Sequence, residues 1–367
     1  MKDAESMRLP QLVGACGVDN TTTEQPNTAD DDKIRQKKAS FRQTLGLKDE
    51  LPSLESLASS CAFPQVFGHR GALYAEVENT LPAFLQCVAW KCAGVELDAF
   101  CTKDGSVVVF HGTGTDQGPG YCSGYCVDKQ GVSIVDLDYE ETRKLRFNPF
   151  FAEFPCPRDK IAQARIPLLV DVLKALRGTG LQIKIELKGP HVVEPVLQVV
   201  ESLDMTDQCS YSSFDHSKLT ELRTLRPCRQ TYPTGALFSA TVPSDYLQRA
   251  RACGATAVHL RYDTCTTQRV QAIRRAGLQS MAWLRGPRAM AADRQNLYPE
   301  LMTMGDKENR RRRRRHYCHE QHCGSTEDEL DYYQALWETG VDQICCNRPD
   351  VAMKLRSESS SIMMLDN

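Results

Sequence analysis

From Pro64 onward, short apolar runs alternate with longer stretches in which apolar positions recur at helical spacing. The runs predict strands over Gln65–Gly68, Val95–Phe100, Val107–Phe110, Gln182–Leu187, Cys209–Ser213, Thr234–Phe238, Thr256–Leu260, Gln279–Leu284 and Asp342–Cys346. The helical stretches predict helices over Pro82–Lys91, from Leu168 to near Gly178, and over Glu194–Ser202, Lys218–Leu225, Ser244–Ala252, Thr267–Ala276 and Asp328–Glu338. Strand and helix in repeated alternation imply a parallel sheet. About eight such units close into an α/β TIM (β/α)8 barrel, in which polar groups emerge at the strand ends.

One connection breaks the alternation. Asp104-Gly105 sits between two apolar runs, and Asp-Gly is a strong signal for a two-residue hairpin loop. With that loop Lys103 pairs with Ser106, and counting outward sets His111 opposite Asp98.

The boundaries follow from where periodicity fails. Residues 1–60 carry polar clusters such as Thr21-Thr22-Thr23 and Asp30-Asp31-Asp32 and read as a disordered or loosely docked tail, with a short helix over Lys33–Leu47. The barrel spans 61–351, interrupted by insertions at about 112–165 and 286–326, and residues 352–367 form a terminal helix with a frayed serine-rich tail. The first insertion, rich in Gly, Pro and Cys, includes a helix over Asp136–Leu145 and is expected to cover the barrel mouth. The second holds Arg310, Arg311, Arg312, Arg313, Arg314 and Arg315, followed by His316, Cys318, His319, His322 and Cys323. Six like charges in a row do not pack, so this is a surface loop, with contact to an anionic surface as its functional reading.

Composition narrows the class. The chain has 367 residues, 41% hydrophobic and 25% charged, with net charge −2, so it is not a polyanion binder as a whole. No apolar run reaches the roughly 18 residues that span a bilayer, and the start does not read as a secretory signal. The 16 cysteines then read mostly as reduced core thiols in a cytoplasmic protein.

The chemistry is concentrated in one window and one later strand. Side chains two apart share a strand face, so Glu96 and Asp98 point one way, as do Glu186 and Lys188. Three carboxylates from two strands suit a hard divalent cation with oxygen ligands. His69 ends the first strand between glycines, and His111 follows the hairpin. Two imidazoles, each titrating near neutrality, supply the base and the acid that phosphodiester cleavage requires. Arg70 and Lys188 are candidate phosphate contacts, and Trp283 reads equally as a lining of the alcohol or glycerol pocket or as a core aromatic.

The ordered set His69-Arg70-Gly71, Glu78-Asn79-Thr80, Glu96-Leu97-Asp98, Thr102-Lys103-Asp104-Gly105, His111 and Ile185-Glu186-Leu187-Lys188 resembles the glycerophosphodiester phosphodiesterase family. Ile166-Pro167-Leu168 and the stretch from Gly340 to Asp350 resemble its later landmarks. The resemblance implies hydrolysis of small glycerophosphodiesters to sn-glycerol 3-phosphate and an alcohol. It implies one divalent ion, Mg2+ or Ca2+, on Glu96, Asp98 and Glu186, with His69 and His111 as the acid–base pair. Which histidine is the acid stays open, with His111 the expected one. The sequence departs from the family at Gly112, where an aspartate is usual, at Leu284-Arg285-Gly286 after Trp283, and at Asn347-Arg348-Pro349. A lysophospholipase D-type or sphingomyelinase D-like diesterase is the alternative activity, and a non-catalytic binding barrel the alternative of another class.

Overall fold

The computed structural model describes residues 39–112, 118–151, 155–284 and 326–365. Among these, eight strands form a closed parallel ring: β1 (Gln65–Gly68), β2 (Gly94–Cys101), β4 (Gln182–Leu187), β5 (Cys209–Ser213), β6 (Thr234–Phe238), β7 (Ala257–Arg261), β8 (Gln279–Trp283) and β9 (Gln343–Cys346). β1 closes the ring by pairing with both β2 and β9. β3 (Val107–Val109) lies outside the ring, antiparallel on β2. The expected TIM barrel is therefore the fold.

Local chemistry explains the elements. Every position of β2 is buried, as a strand covered on both faces requires. The helix Leu169–Leu176 buries Leu169, Val172, Leu173 and Leu176, one stripe at helical spacing, each worth roughly 1.5–3 kcal/mol. Thr266 and Asp215 cap the helices after them by accepting from the backbone N–H groups of Arg269 and Ser217.

The hairpin differs from its prediction. The register pairs Ala99 with Val109 and Cys101 with Val107, so the loop has three residues, Lys103-Asp104-Gly105. Asp104 accepts from the Thr102 hydroxyl at 2.6 Å and Ser106 N–H at 3.3 Å, while Gly105 takes the left-handed conformation at φ 84°. That geometry is the three-residue turn with a glycine bulge, which competes with the two-residue turn for the same Asp-Gly pair. Phe110, not His111, thus stands opposite Asp98, its N–H 2.9 Å from the Asp98 carbonyl. His111 still arrives at the barrel mouth, because β3 has ended and the chain bends at Gly112, φ 81°.

The first insertion builds its own small core. Tyr125, Cys122, Cys126, Ile134, Phe147 and Ile161 pack on Phe100, Val108 and Phe110. Its predicted ten-residue helix is shorter, a 3₁₀ turn at Ile134–Asp136 and a single turn at Tyr139–Thr142 that restarts at a capping box between Asp138 and Glu141. Residues 39–60 are placed against the barrel rather than loosely. Leu45 and Leu57 are buried, Phe41 meets Tyr262 and Tyr332, and Arg42 bonds Glu338 at 2.6 Å. The serine-rich end continues the helix Pro349–Leu365 instead of fraying there, with serine hydroxyls bonded to carbonyls a turn back. The arginine run Arg310–Arg315 and the His/Cys cluster after it lie outside the described residues.

Candidate active site

β1 delivers His69 and Arg70 to the mouth. Arg70 adopts φ 57°, a conformation uncommon for a residue with a side chain, and the contacts around it hold it there. Its N–H donates to Glu96 Oε2 at 3.0 Å, its Nη1 to Glu78 at 2.8 Å, and its Nε lies 3.5 Å from Asp98. Asn79 clamps the next strand: Nδ2 donates to Asp98 Oδ2 at 2.8 Å, and Oδ1 accepts from the Asp98 N–H at 3.2 Å.

Glu96, Asp98 and Glu186 meet, each offering an oxygen within 4.8 Å of the others. All three are buried. Lys188 closes the cluster, its Nζ 2.7 Å from Glu186 and 3.3 Å from Asp98. Burial, with Asp98 and Glu186 beside it, holds the Glu96 carboxyl well above its ordinary range. Burial also raises Glu186, against the pull of Lys188. Burial opposes ionisation of Asp98 too, but the permanent charges of Lys188 and Arg70 overcome it and hold the group below its usual value. Three crowded carboxylates with one elevated this way form an all-oxygen donor set short of positive charge, and a divalent cation fits that need.

Both histidines have one ring nitrogen fixed. His69 Nδ1 is 2.8 Å from the Asn347 amide oxygen, and His111 Nδ1 is 2.8 Å from the Gly112 carbonyl. Each partner only accepts, so each Nδ1 carries the proton and each Nε2 keeps its lone pair. Burial and Arg70 push His69 down to about 3 and His111 well below its ordinary value. Both are therefore neutral at physiological pH.

These groups face a cavity of about 250 Å³. His69, Arg70, Glu96, His111, Glu186, Lys188 and Trp283 all line it, while Asp98 is covered and reaches it through Lys188 and Arg70. The eight residues singled out from the sequence are thus gathered at one end of the ring. The opposite wall comes from β5–β8: Ser212, Leu237, His259, Met281 and Trp283. Phe214, 43% exposed, meets Trp283 edge-on at 5.4 Å and forms an aromatic lip.

Sequence reasoning gave no role to several supporting residues. Glu78 and Asn79 belonged to a quoted motif but had no partner until Arg70 and Asp98 came into contact. Tyr125, from the insertion, donates its hydroxyl to Glu78, and no local pattern marks it. Asn347, buried and 278 positions from His69, is legible only as the residue two before Pro349.

A sequence model described as the glycerophosphoryl diester phosphodiesterase family matches residues 69–351. The chain is 25% identical over 223 residues to a glycerophosphodiester phosphodiesterase of Caldanaerobacter subterraneus subsp. tengcongensis, covering 59% of this chain and 84% of that one. It is 28% identical over 138 residues to lysophospholipase D GDPD1 of Rattus norvegicus, covering 36% of this chain and 40% of the relative. It also resembles the structure of an Oleispira antarctica phosphodiesterase in complex with the product sn-glycerol-3-phosphate. That likeness has a TM-score of 0.57 at 20% identity, over 83% of this chain and 99% of that one, and it speaks for the fold.

Proposed function

The chain belongs to the glycerophosphoryl diester phosphodiesterase family, and from that premise we propose that it hydrolyses small glycerophosphodiesters to sn-glycerol 3-phosphate and an alcohol. The single observation that supports this most is the convergence of three buried carboxylates, within 4.8 Å of one another, beside two histidines with free Nε2 atoms.

Glu96, Asp98 and Glu186 would hold a divalent ion, Mg2+ or Ca2+, which would supply positive charge to the phosphoryl oxygens. Arg70, fixed by Glu78, presents its guanidinium to the same oxygens. Lys188 adds a second cation and keeps Asp98 ionised. One histidine removes the proton of the nucleophile at its Nε2; the other, neutral at rest, first takes a proton from solvent at its own Nε2 and then gives it to the leaving alkoxide. The nucleophile is water or the adjacent glycerol hydroxyl. We assign the acid role toward the alcohol to His111. A depressed histidine is unprotonated at neutral pH, which leaves its Nε2 open, and it becomes a strong acid once protonated.

A second reading, lysophospholipase D activity, draws support from the exposed Phe214–Trp283 lip, an apolar surface at the cavity mouth. Side-by-side assays on glycerophosphocholine and lysophosphatidylcholine, with and without a chelator, separate the readings. Hydrolysis of glycerophosphocholine that stops with chelator and returns with Mg2+ or Ca2+ is the expected outcome. Chelator-resistant turnover removes the ion from the scheme. A cytoplasmic address draws support from the described cysteines, all of which are free thiols. No described helix is long and apolar enough to cross a membrane.

A further inference from the structure

The cavity does not end at the carboxylates. Lys184, two residues before Glu186 on the same face of β4, lines it deeper in the ring, across from His259 of β7. Barrel interiors are normally filled at this level by branched apolar side chains. Here an ammonium and an imidazole occupy it, 7% and 3% exposed. Lys184 rests 4.6 Å from the centre of the Phe67 ring, and among the described residues it makes no ion pair. His259 Nε2 is buried with no hydrogen-bond partner. The backbone makes room for this ring: a Cβ on Gly235 would lie 2.2 Å from it. A buried polar atom without a partner costs about 1–3 kcal/mol, so a ligand group that meets both atoms gains what the fold forgoes.

We propose that Lys184 and His259 form a hydroxyl-reading subsite at the cavity floor for the terminal hydroxyl of the substrate's glycerol end. This rests on the phosphodiesterase reading and refines it. The donor–acceptor chemistry selects the ligand group. The Lys184 ammonium only donates. Burial and the Lys184 charge hold the imidazole below its ordinary value, so one of its two ring nitrogens carries a lone pair, and the neighbouring ammonium favours the tautomer that turns it inward. A hydroxyl accepts from the first and donates to the second. A carboxylate or phosphate satisfies Lys184 but confronts the imidazole lone pair with another. The orientation follows from the two ends of the cavity. The exposed aromatic lip suits the departing alcohol, and the closed floor suits the short polar glycerol end. Esterifying the terminal hydroxyl, as in a lysophospholipid, removes its proton and adds a chain that the floor does not admit. The subsite therefore favours deacylated diesters.

The test compares glycerophosphocholine with 2-hydroxypropyl phosphocholine, which lacks only the terminal hydroxyl, and with lysophosphatidylcholine. In the wild type, kcat/KM for glycerophosphocholine exceeds that for the truncated diester on the order of 100-fold, as a site built around a hydroxyl demands. In Lys184→Met and in His259→Phe, which keep side-chain volume, that preference falls below about tenfold. Thermal melting and residual cleavage of the truncated diester report that each variant is folded. If Lys184→Met does not fold, His259→Phe carries the same test. A preference that stays within about threefold of wild type overturns the subsite alone, as does wild-type cleavage of lysophosphatidylcholine as fast as glycerophosphocholine. Failure of the wild type to cleave any of the three overturns the phosphodiesterase reading and the subsite with it.

Discussion

The two walls of the cavity are built on opposite principles. The wall from β1, β2 and β4 carries Arg70, Glu96, Asp98, Glu186 and Lys188, a dense array in which each charge is held by another. The wall from β5–β8 carries Ser212, Leu237, His259, Met281 and Trp283, with no carboxylate among its described lining residues. On the first, moving any group disturbs its neighbours, so its geometry is rigid, as the proposed cleavage chemistry requires. On the second, side chains meet by packing and shape, which on the proposed reading suits selection of the molecule to be cleaved. Substitutions on the first should therefore lower kcat, and those on the second should shift KM and preference.

The largest effect belongs to the charged wall. Glu96→Gln should lower turnover on the order of 10³-fold, since charge stabilisation of several kcal/mol is lost, and calorimetric titration with Mg2+ or Ca2+ should lose its isotherm. Wild-type titration in this variant would break the assignment. Next come the histidines. His69→Ala and His111→Ala should each cost roughly 10²–10⁴-fold in kcat, and near-normal turnover in either would remove it from the acid–base pair. Tyr125→Phe tests the support behind that wall. It deletes the bond to Glu78 and so loosens Arg70, with an expected kcat loss of about tenfold, from one hydrogen bond of about 1–1.5 kcal/mol.

Trp283→Ala, across the cavity, should raise KM about threefold to tenfold and leave kcat near normal, because it removes packing rather than charge. If it lowered kcat as far as His69→Ala, the division between the walls would be wrong. The smallest effect is one of stability. Burial and Lys184 hold His259 well below its ordinary value in the folded protein. Below about pH 6.5 the unfolded chain binds a proton there that the folded chain does not, so stability falls as pH drops through that point. Denaturant titrations from pH 7 to 5 should show the loss, and His259→Phe should flatten it by up to about 1.4 kcal/mol per pH unit.

The barrel was legible because strand and helix periods alternate without interruption from β4 to β8. The acidic trio was legible because Glu96 and Asp98 are two apart on one strand, and Glu186 sits at the end of another apolar run. The hairpin register was not, since Asp-Gly serves a two-residue and a three-residue turn equally well, and the Asp104 side-chain bonds decided between them. Tyr125, Asn347 and His259 were not legible either. Each acts through a contact that exists only after distant segments have closed on one another.

Tyr125 sits in the insertion's separate core, yet its hydroxyl ends on the carboxylate that aims Arg70. The insertion and the arginine clamp are therefore one mechanical unit. Mild heating that loosens only the insertion would slacken the guanidinium while the ring of strands stays intact. Activity should fall by about tenfold before the helical signal does, and cooling should restore it.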